Sequence, residues 1–201
     1  NTISKELSVF DKDLSKDAFL SNNRIRNVLV DSANRVWVGT QSGLNFFYLD
    51  DIGTDRFHIE HFFYDVSNNS GIDILTVFED SRKNIWVGTK GNGFYYFNGN
   101  EFTKELMRIS DRDVSSIRSV IEDKKQNLWL GSNQGILKFD PLSKELLLYD
   151  QTDGLISNEF NNGSALNFND QTFYFGGLEG VTFFDPDGIE SNQYAPQVIL
   201  T

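Results

Sequence analysis

The chain has 201 residues, of which 39% are hydrophobic and 14% aromatic, enough to bury the core of one domain. Its formal net charge of −11 repels phosphate backbones and anionic lipid, so neither nucleic acid nor a membrane surface is an expected partner. Cysteine is absent, which excludes disulfides, thiolate chemistry and cysteine-ligated zinc. The apolar runs are too short to span a membrane.

A three-strand pattern recurs along the chain, and such internal repeats decide the fold class. Its clearest element is a Trp followed by an aliphatic residue and Gly, at Trp37, Trp86 and Trp129. A degenerate fourth copy has Tyr174 in the same place, and successive copies are 49, 43 and 45 residues apart. The chain begins and ends within this pattern, so we expect it to be a piece of a longer protein.

Each copy has the residue chemistry of β-strands. Short runs of Ile, Val, Phe, Tyr and Trp are bounded by Asp, Asn, Ser and Gly, with no apolar stripe of helical period. A turn from Asp80 to Asn84, repeated from Asp123 to Asn127, joins the first two strands, because Asp and Asn bond their own backbone and tolerate left-handed φ. A Gly-Thr-x-x-Gly hairpin follows, and positive φ is predicted for its glycines at both ends.

A weaker fourth strand is predicted in three copies, over residues 58–63, 102–107 and 145–149. Four antiparallel strands at this spacing are typical of propeller blades. A β-sandwich would not repeat the same three-strand motif, and a parallel β-helix has a shorter repeat, so both folds are less consistent with the sequence. The sequence therefore predicts an all-β fold, a β-propeller made of four-stranded antiparallel blades, with four blades present.

The repeat text also resembles a known family. Ile-x-x-Val-x-Glu-Asp, then four residues, Leu-Trp-Leu-Gly-Ser/Thr and Gly-Leu/Ile-x-x-Phe, resembles the two-component regulator propeller repeat, found in the periplasmic sensor region of hybrid histidine kinases. The resemblance covers residues 20–201. It implies a larger, seven-bladed propeller followed by an immunoglobulin-like domain, a membrane helix and a kinase or other output module for the phosphorelay. It also implies a periplasmic location, a homodimeric receptor and, as for several relatives, an oligosaccharide signal.

The predicted units follow in chain order. Residues 4–10 match residues 143–149, so residues 1–10 are predicted to form the outer strand of a preceding blade or a closing strand for the last blade, which lacks an obvious fourth strand. The other units are blade 1 at 20–64, blade 2 at 70–107, blade 3 at 113–149, the last blade at 155–190 and, by the resemblance, the start of the immunoglobulin-like domain at 195–201.

Several residue types suggest chemistry but have simpler explanations. The tryptophans could stack on sugars, but their shared place in apolar strands favours packing between blades. His58 and His61 point to opposite faces of a strand, so they are predicted to be surface residues rather than metal ligands. Residues 11–22 begin like a calcium loop, yet Lys16 and Asn22 replace the required Gly and acid. No metal site and no cofactor is predicted.

The loops between blades and the hairpin tips between second and third strands share one rim of a propeller. Here they are rich in groups that suit sugar hydroxyls, although exposed turns are polar in any protein. The candidate ligand-binding residues are Asn22, Asn23, Arg24, Gln41, Lys90, Asn92, Arg112, Asp113, Asn133, Gln134, Asn158 and Glu179.

Three functions remain open: a glycan sensor module, a propeller-fold carbohydrate-active lyase or hydrolase, and an interaction scaffold without a small ligand. An enzyme would need acid and base side chains at the central channel, whereas the first strands supply mainly Ile, Val, Ser and Arg. The repeated Glu-Asp pairs, such as Glu79 and Asp80, are expected to serve the strand end and turn. The segment is therefore predicted to be a non-catalytic sensor, with kinase activity in the parent protein.

Overall fold

The computed structural model describes residues 10–12 and 18–189. These residues form strands and two short 3₁₀ turns, at Leu49–Asp51 and Gln151–Asp153. The first half has β1 (Ile25–Val30), β2 (Arg35–Thr40), β3 (Gly43–Tyr48), β4 (Glu60–Phe62), β5 (Tyr64–Asp65), β6 (Ser70–Gly71), β7 (Ile74–Glu79), β8 (Ile85–Thr89), β9 (Phe94–Phe97) and β10 (Phe102–Glu105). The second half has β11 (Arg108–Ile109), β12 (Arg112–Asp113), β13 (Ile117–Glu122), β14 (Leu128–Ser132), β15 (Ile136–Phe139), β16 (Leu146–Tyr149), β17 (Phe160–Phe168), β18 (Thr172–Gly177) and β19 (Val181–Phe184).

The strands form four antiparallel blades. Blades 1 to 3 are the sheets β1–β4, β7–β10 and β13–β16, and blade 4 is the sheet β17–β19. The inner strands contact one another in chain order, β1 with β7, β7 with β13 and β13 with β17. The predicted fold class, an all-β propeller with four antiparallel blades, is confirmed. Within the described residues no helix is long and apolar enough to cross a membrane.

The tryptophans fill the spaces between blades, as predicted. Their exposed fractions are 0% for Trp37, 1% for Trp86 and 0% for Trp129. Trp86, for example, packs in one buried cluster with Ile117 and Val120 of the next inner strand. Because interiors are close-packed, each tryptophan fixes the separation of two neighbouring blades.

The aspartate turn does more than bend the chain. In blade 2, one carboxylate oxygen of Asp80 accepts the Trp86 Nε1–H at 2.8 Å, and the other accepts backbone N–H groups of Arg82 and Asn84. Asp31 and Asp123 hold Trp37 and Trp129 in the same way. We call this contact the Asp–Trp clasp.

The left-handed residue of this turn is not the predicted asparagine. In blade 2 it is Lys83, with φ of 70°, whereas the Asn84 side chain donates to Asp80 Oδ2 at 2.8 Å. The asparagine is therefore part of the clasp, and the strained backbone position lies one residue earlier.

The glutamates of the repeat join adjacent blades. The Glu79 carboxylate accepts the backbone N–H of Ser32 at 2.9 Å and its hydroxyl at 2.6 Å. Glu122 accepts the same pair of bonds from Ser81, at 2.7 and 2.8 Å. We call this contact the Glu–Ser latch, and it gives the repeated Glu-Asp pair two separate structural tasks.

The hairpin glycines differ from the prediction at one end. The second glycine has positive φ, as in Gly43 at 107° and Gly93 at 97°, but the first does not. A Cβ on Gly88 would lie 2.5 Å from the Ile117 carbonyl oxygen of the next blade. The first glycine is therefore required for close approach of the blades rather than for a left-handed backbone.

Other differences concern the outer parts of the blades. The fourth strands begin or end one to two residues inside the predicted bounds, and two small hairpins, β5–β6 and β11–β12, were not predicted. Blade 4 shows three strands in the part of the chain that is described. The predicted closing strand at residues 1–10, apart from its last residue, and the predicted domain start at 195–201 lie outside the described residues, as do residues 13–17 of the calcium-like loop.

Candidate ligand-binding rim

The hairpin tips and the loops between blades meet at one rim of the molecule. The Gln41 backbone N–H donates to the Arg24 carbonyl at 3.0 Å, and the Lys90 N–H donates to the Asp73 carbonyl at 2.9 Å. In blade 3, Gln134 Nε2 donates to the carbonyl of Asp113 at 3.2 Å. In blades 1 to 3 the tip is thus tied to the loop that starts its own blade.

The blade 1 candidates hold one another. Arg24 Nη1 donates to Gln41 Oε1 at 3.1 Å, and Asn22 Oδ1 accepts the Arg24 backbone N–H at 2.8 Å. Asn23 Oδ1 accepts the backbone N–H of Lys12 at 2.6 Å. These groups are already used to shape the loop, so a ligand would have to replace existing hydrogen bonds there.

Four other candidates line one groove. Arg112, Asn133, Gln134 and Asn158 surround a cavity of about 730 Å³ between the β11–β12 hairpin and blade 3. We call it the rim groove; its other lining residues are Ile109, Ser110, Asp111, Leu148 and Asp150. Ile109 was not among the candidate residues, because the β11–β12 hairpin that brings it to the rim was not predicted.

Asn133 carries the sharpest polar feature of the rim groove. Its Oδ1 atom is buried and has no hydrogen-bond partner among the described residues. A buried acceptor without a donor costs about 1 to 3 kcal/mol. A rotation of the Asn133 side chain that brings this oxygen to a hydroxyl or amide donor of a ligand would therefore be favoured. Leu148 and Ile109 supply apolar contact beside it.

The remaining candidates are scattered. Lys90 lines a separate cavity near the inner strands. Asn92 and Glu179 are exposed at the hairpin tips of blades 2 and 4. Asp113 contributes its backbone carbonyl to the Gln134 side chain. The structure therefore brings together one third of the candidate set rather than one continuous surface.

The histidines differ from each other more than predicted. His58 is exposed, and a hydrogen bond to the Arg56 carbonyl, with Glu60 close by, raises its pKa. His61 is only partly exposed on β4, with Nδ1 3.1 Å from Asn45 Oδ1, and burial lowers its pKa. Across residues 10–12 and 18–189, no three His, Asp or Glu side chains are grouped as metal ligands.

Known proteins resemble this chain in sequence and structure. Residues 20–42, 69–91 and 112–134 match the family model described as two component regulator propeller. The chain is 55% identical over 182 residues to a protein named histidine kinase P4 from Formosa agariphila. The matched region covers 90% of this chain and 13% of that relative.

Solved structures agree on the fold. The extracellular domain of a hybrid two component system from B. thetaiotaomicron has a TM-score of 0.72 and 23% identity, covering 90% of this chain and 24% of that one. A second such domain from the same species has a TM-score of 0.69 and 20% identity, covering 90% and 23%. At this level of identity the likeness shows the fold alone.

The blades and their polar rim define the chain as a segment of a β-propeller. The inner-strand start, the clasp and the first glycine of the hairpin lie within the three matched regions. The chain belongs to the two-component regulator propeller family. It spans 13% of the length of the curated relative, so it corresponds to a small part of such a protein.

Proposed function

We propose that this segment is a non-catalytic, extracytoplasmic sensor part of a two-component regulator, and that its signal is an oligosaccharide. The observation that carries the proposal is the repeat match combined with 55% identity to a histidine kinase over 90% of the chain. The structural neighbours are described as extracellular domains, which supports a periplasmic location in the parent receptor.

The rim groove has the chemistry of a sugar site. Side-chain amides of Asn133, Gln134 and Asn158 can both donate to and accept from hydroxyl groups. Leu148 and Ile109 offer apolar contact for the C–H face of a sugar ring. The small number of polar groups that converge on the groove would fix the orientation of that ring. Its volume of about 730 Å³ lies within the range of about 300 to 1,000 Å³ that small-molecule sites occupy.

Two open sheet faces support packing against the rest of the same receptor. On blade 4, Leu166, Phe168, Val181 and Phe183 are between 54% and 68% exposed. At the other end, Val28 of β1 is 59% exposed, whereas its repeat equivalent Val77 is 5% exposed beneath the preceding blade. We propose that further blades of the longer protein cover these faces, with an immunoglobulin-like domain following.

Signalling would follow from differential binding. A glycan that binds one arrangement of a receptor homodimer more tightly than another shifts the population toward it, by no more than that difference in affinity. Kinase or other output activity belongs, in this proposal, to the parent protein.

Titration calorimetry of the chain with neutral and acidic oligosaccharides tests the proposal. We expect at least one to bind, and Asn133→Ala with Gln134→Ala to weaken it about tenfold, because two hydrogen-bonding side chains are lost. Asn100→Ala, an exposed amide in the turn between β9 and β10 and not a rim candidate, is the matched control. Chromatography of the sugars after incubation gives a second readout: shortened chains would establish an enzyme. A complete lack of binding would leave the scaffold function.

A further inference from the structure

All four inner strands have a register irregularity near their start, which in β1, β7 and β13 is a β-bulge of one extra residue. The register shifts between Ile25 and Asn27 in β1, between Ile74 and Thr76 in β7, and between Ile117 and Ser119 in β13. In β17 the irregular stretch runs from Phe160 to Ala165. A bulge leaves one residue out of the ladder and redirects its side chain, and such bulges are common beside functional sites.

The bulged residues meet in one place. Arg26, Leu75, Arg118, Asn161 and Asn162 come from the irregular stretches of blades 1 to 4, and all line a single cavity of about 260 Å³. Asp73 and Lys90, from blade 2, complete its lining. We call this the axial cavity, because it is bounded by the inner strands of all four blades.

Comparison of the repeat copies at the start of the inner strands distinguishes positions that keep the same residue from a position that varies. Three copies share Ile at the start of the inner strand and Val three residues later, and the Ile of blades 2 and 3 is fully buried. The residue between them at the bulge is Arg26, Leu75 or Arg118. Since the blade folds with any of these, the identity of the bulged residue is free to serve binding.

The axial cavity is cationic in an acidic chain. Arg26, Lys90 and Arg118 face one lining carboxylate, Asp73, although the net charge of the protein is −11. Arg26 donates Nε and Nη2 to Asp73, each at 3.2 Å, which leaves Nη1 available. Like charges gathered in a cleft focus the field and attract an ion of the opposite sign.

Two of these cations retain donor capacity. Arg118 Nη1 donates to the Phe160 carbonyl at 2.9 Å, and Nη2 lies 3.8 Å from Glu159 at the edge of the site. The Lys90 side chain is exposed, and its amino group has no ion pair within residues 18–189. The side-chain amides of Asn161 and Asn162 add neutral donors.

We propose that the axial cavity binds one oxyanion, the carboxylate of an acidic sugar or a sulfate group. Arginine forks and a lysine ammonium are the donors that suit such groups. The volume is below that of most small-molecule sites, so the cavity holds one charged group with at most the ring that carries it. This goes beyond the sensing proposal by defining a second site and the charge of its ligand.

Calorimetric titrations of the chain with glucuronate, inorganic sulfate and glucose, at one ionic strength set with chloride, test the proposal. We expect an anion to bind and glucose not to bind at this site. Lys90→Ala should weaken anion binding about tenfold, because a charge-assisted hydrogen bond is lost. Lys104→Ala on the outer strand β10 removes the same charge from an exposed position and should leave binding within twofold.

The outcomes separate the sources and the two proposals. Binding of glucuronate without sulfate identifies an acidic sugar, and the reverse identifies a sulfate group. Failure of both anions to bind, or equal losses in the Lys90 and Lys104 variants, overturns the axial site. Oligosaccharide binding lost in Asn133→Ala, with no anion binding, would leave the sensing proposal standing alone. Anion binding that depends on Lys90, without any oligosaccharide binding, would support the axial site and contradict the oligosaccharide proposal.

Discussion

The first two blade interfaces and the last blade use the same repeat position in different ways. Between blades 1 and 2, and again between blades 2 and 3, a buried Trp, an Asp–Trp clasp and a Glu–Ser latch act together. Between blades 3 and 4 the Trp and its clasp remain, but Lys124 replaces the serine and Asn167 replaces the glutamate. Asn167 donates instead to the backbone carbonyl of Glu122 at 3.0 Å.

Beyond blade 4 even the clasp is gone. Tyr174 occupies the Trp position of the repeat. Phe168 aligns with Asp123, the residue after β13, and so occupies the place of the clasping aspartate. Phe168 is 54% exposed, and Tyr174 stacks on Phe183 of its own blade, which is 68% exposed. The repeat position therefore becomes a core position only where a following blade covers it.

The largest expected effect separates Trp86 from Tyr174. Trp86→Ala should lower the free energy of unfolding by about 3 to 5 kcal/mol, because it leaves a cavity between two blades and removes the donor from the buried Asp80. Tyr174→Ala, at the same repeat position, should cost less than about 1 kcal/mol. Denaturant unfolding followed by circular dichroism compares the two, and equal losses would contradict the comparison.

A smaller effect is expected for the Glu–Ser latch. Glu122→Ala should lower the free energy of unfolding by about 1 to 2 kcal/mol, since two hydrogen bonds from Ser81 to a carboxylate are lost at a partly exposed site. Asn167→Ala, its repeat equivalent in blade 4, should cost about 0.5 to 1 kcal/mol, because neutral bonds contribute less. The same unfolding measurement applies; an Asn167 loss larger than that of Glu122 would refute this ranking.

The smallest expected effect is a pH dependence of the clasp. Burial tends to raise the pKa of Asp31, but the hydrogen bonds from Trp37 and from Arg35 outweigh it, so the pKa lies below its ordinary value. A carboxyl with a lowered folded-state pKa stabilises the fold above its unfolded pKa of about 3.9, and this contribution disappears as the pH falls through the folded pKa. Stability should therefore decline below about pH 4.

The variant Asp31→Asn tests this contribution. We expect lower stability at pH 7 and a shallower decline from pH 5 to pH 3 than in the unchanged chain, measured by denaturant unfolding at each pH. Asp111→Asn, whose carboxyl is fully exposed, is the control for the change in net charge. A decline as steep in Asp31→Asn as in the unchanged chain would show that other carboxyl groups cause the acid sensitivity.

Most of the fold could be predicted because each motif of the repeat consists of residues that are close together in the sequence. The Trp strand, the aspartate turn and the glycine hairpin each follow from residue types a few positions apart. The Glu–Ser latch could not be predicted this way, because Glu79 and Ser32 are 47 residues apart and neither residue type is unusual at a strand end. The close-approach role of Gly88 likewise depends on a carbonyl of the next blade.

The candidate site was predicted only in part. Sequence reasoning selected Gln134, in a hairpin tip, and Asn158, in a loop between blades, and both line the rim groove because propeller connectivity sends such segments to one rim. Their role in ligand binding stays a prediction. Sequence reasoning could not find Ile109, since a two-residue strand has almost no pattern of its own. It also passed over Arg26 and Arg118, whose significance arises from bulges that alternation in a strand does not reveal.

The sequence by itself determined the blade, its repetition and its family, because alternating apolar strands and their turns are set by short-range chemistry. Only the tertiary structure decided which copies of a repeat position are buried, which carboxylates join neighbouring blades and which side chains meet at the centre. Those properties depend on contacts between residues some 40 to 50 positions apart, where the sequence specifies the residue types but not their partners.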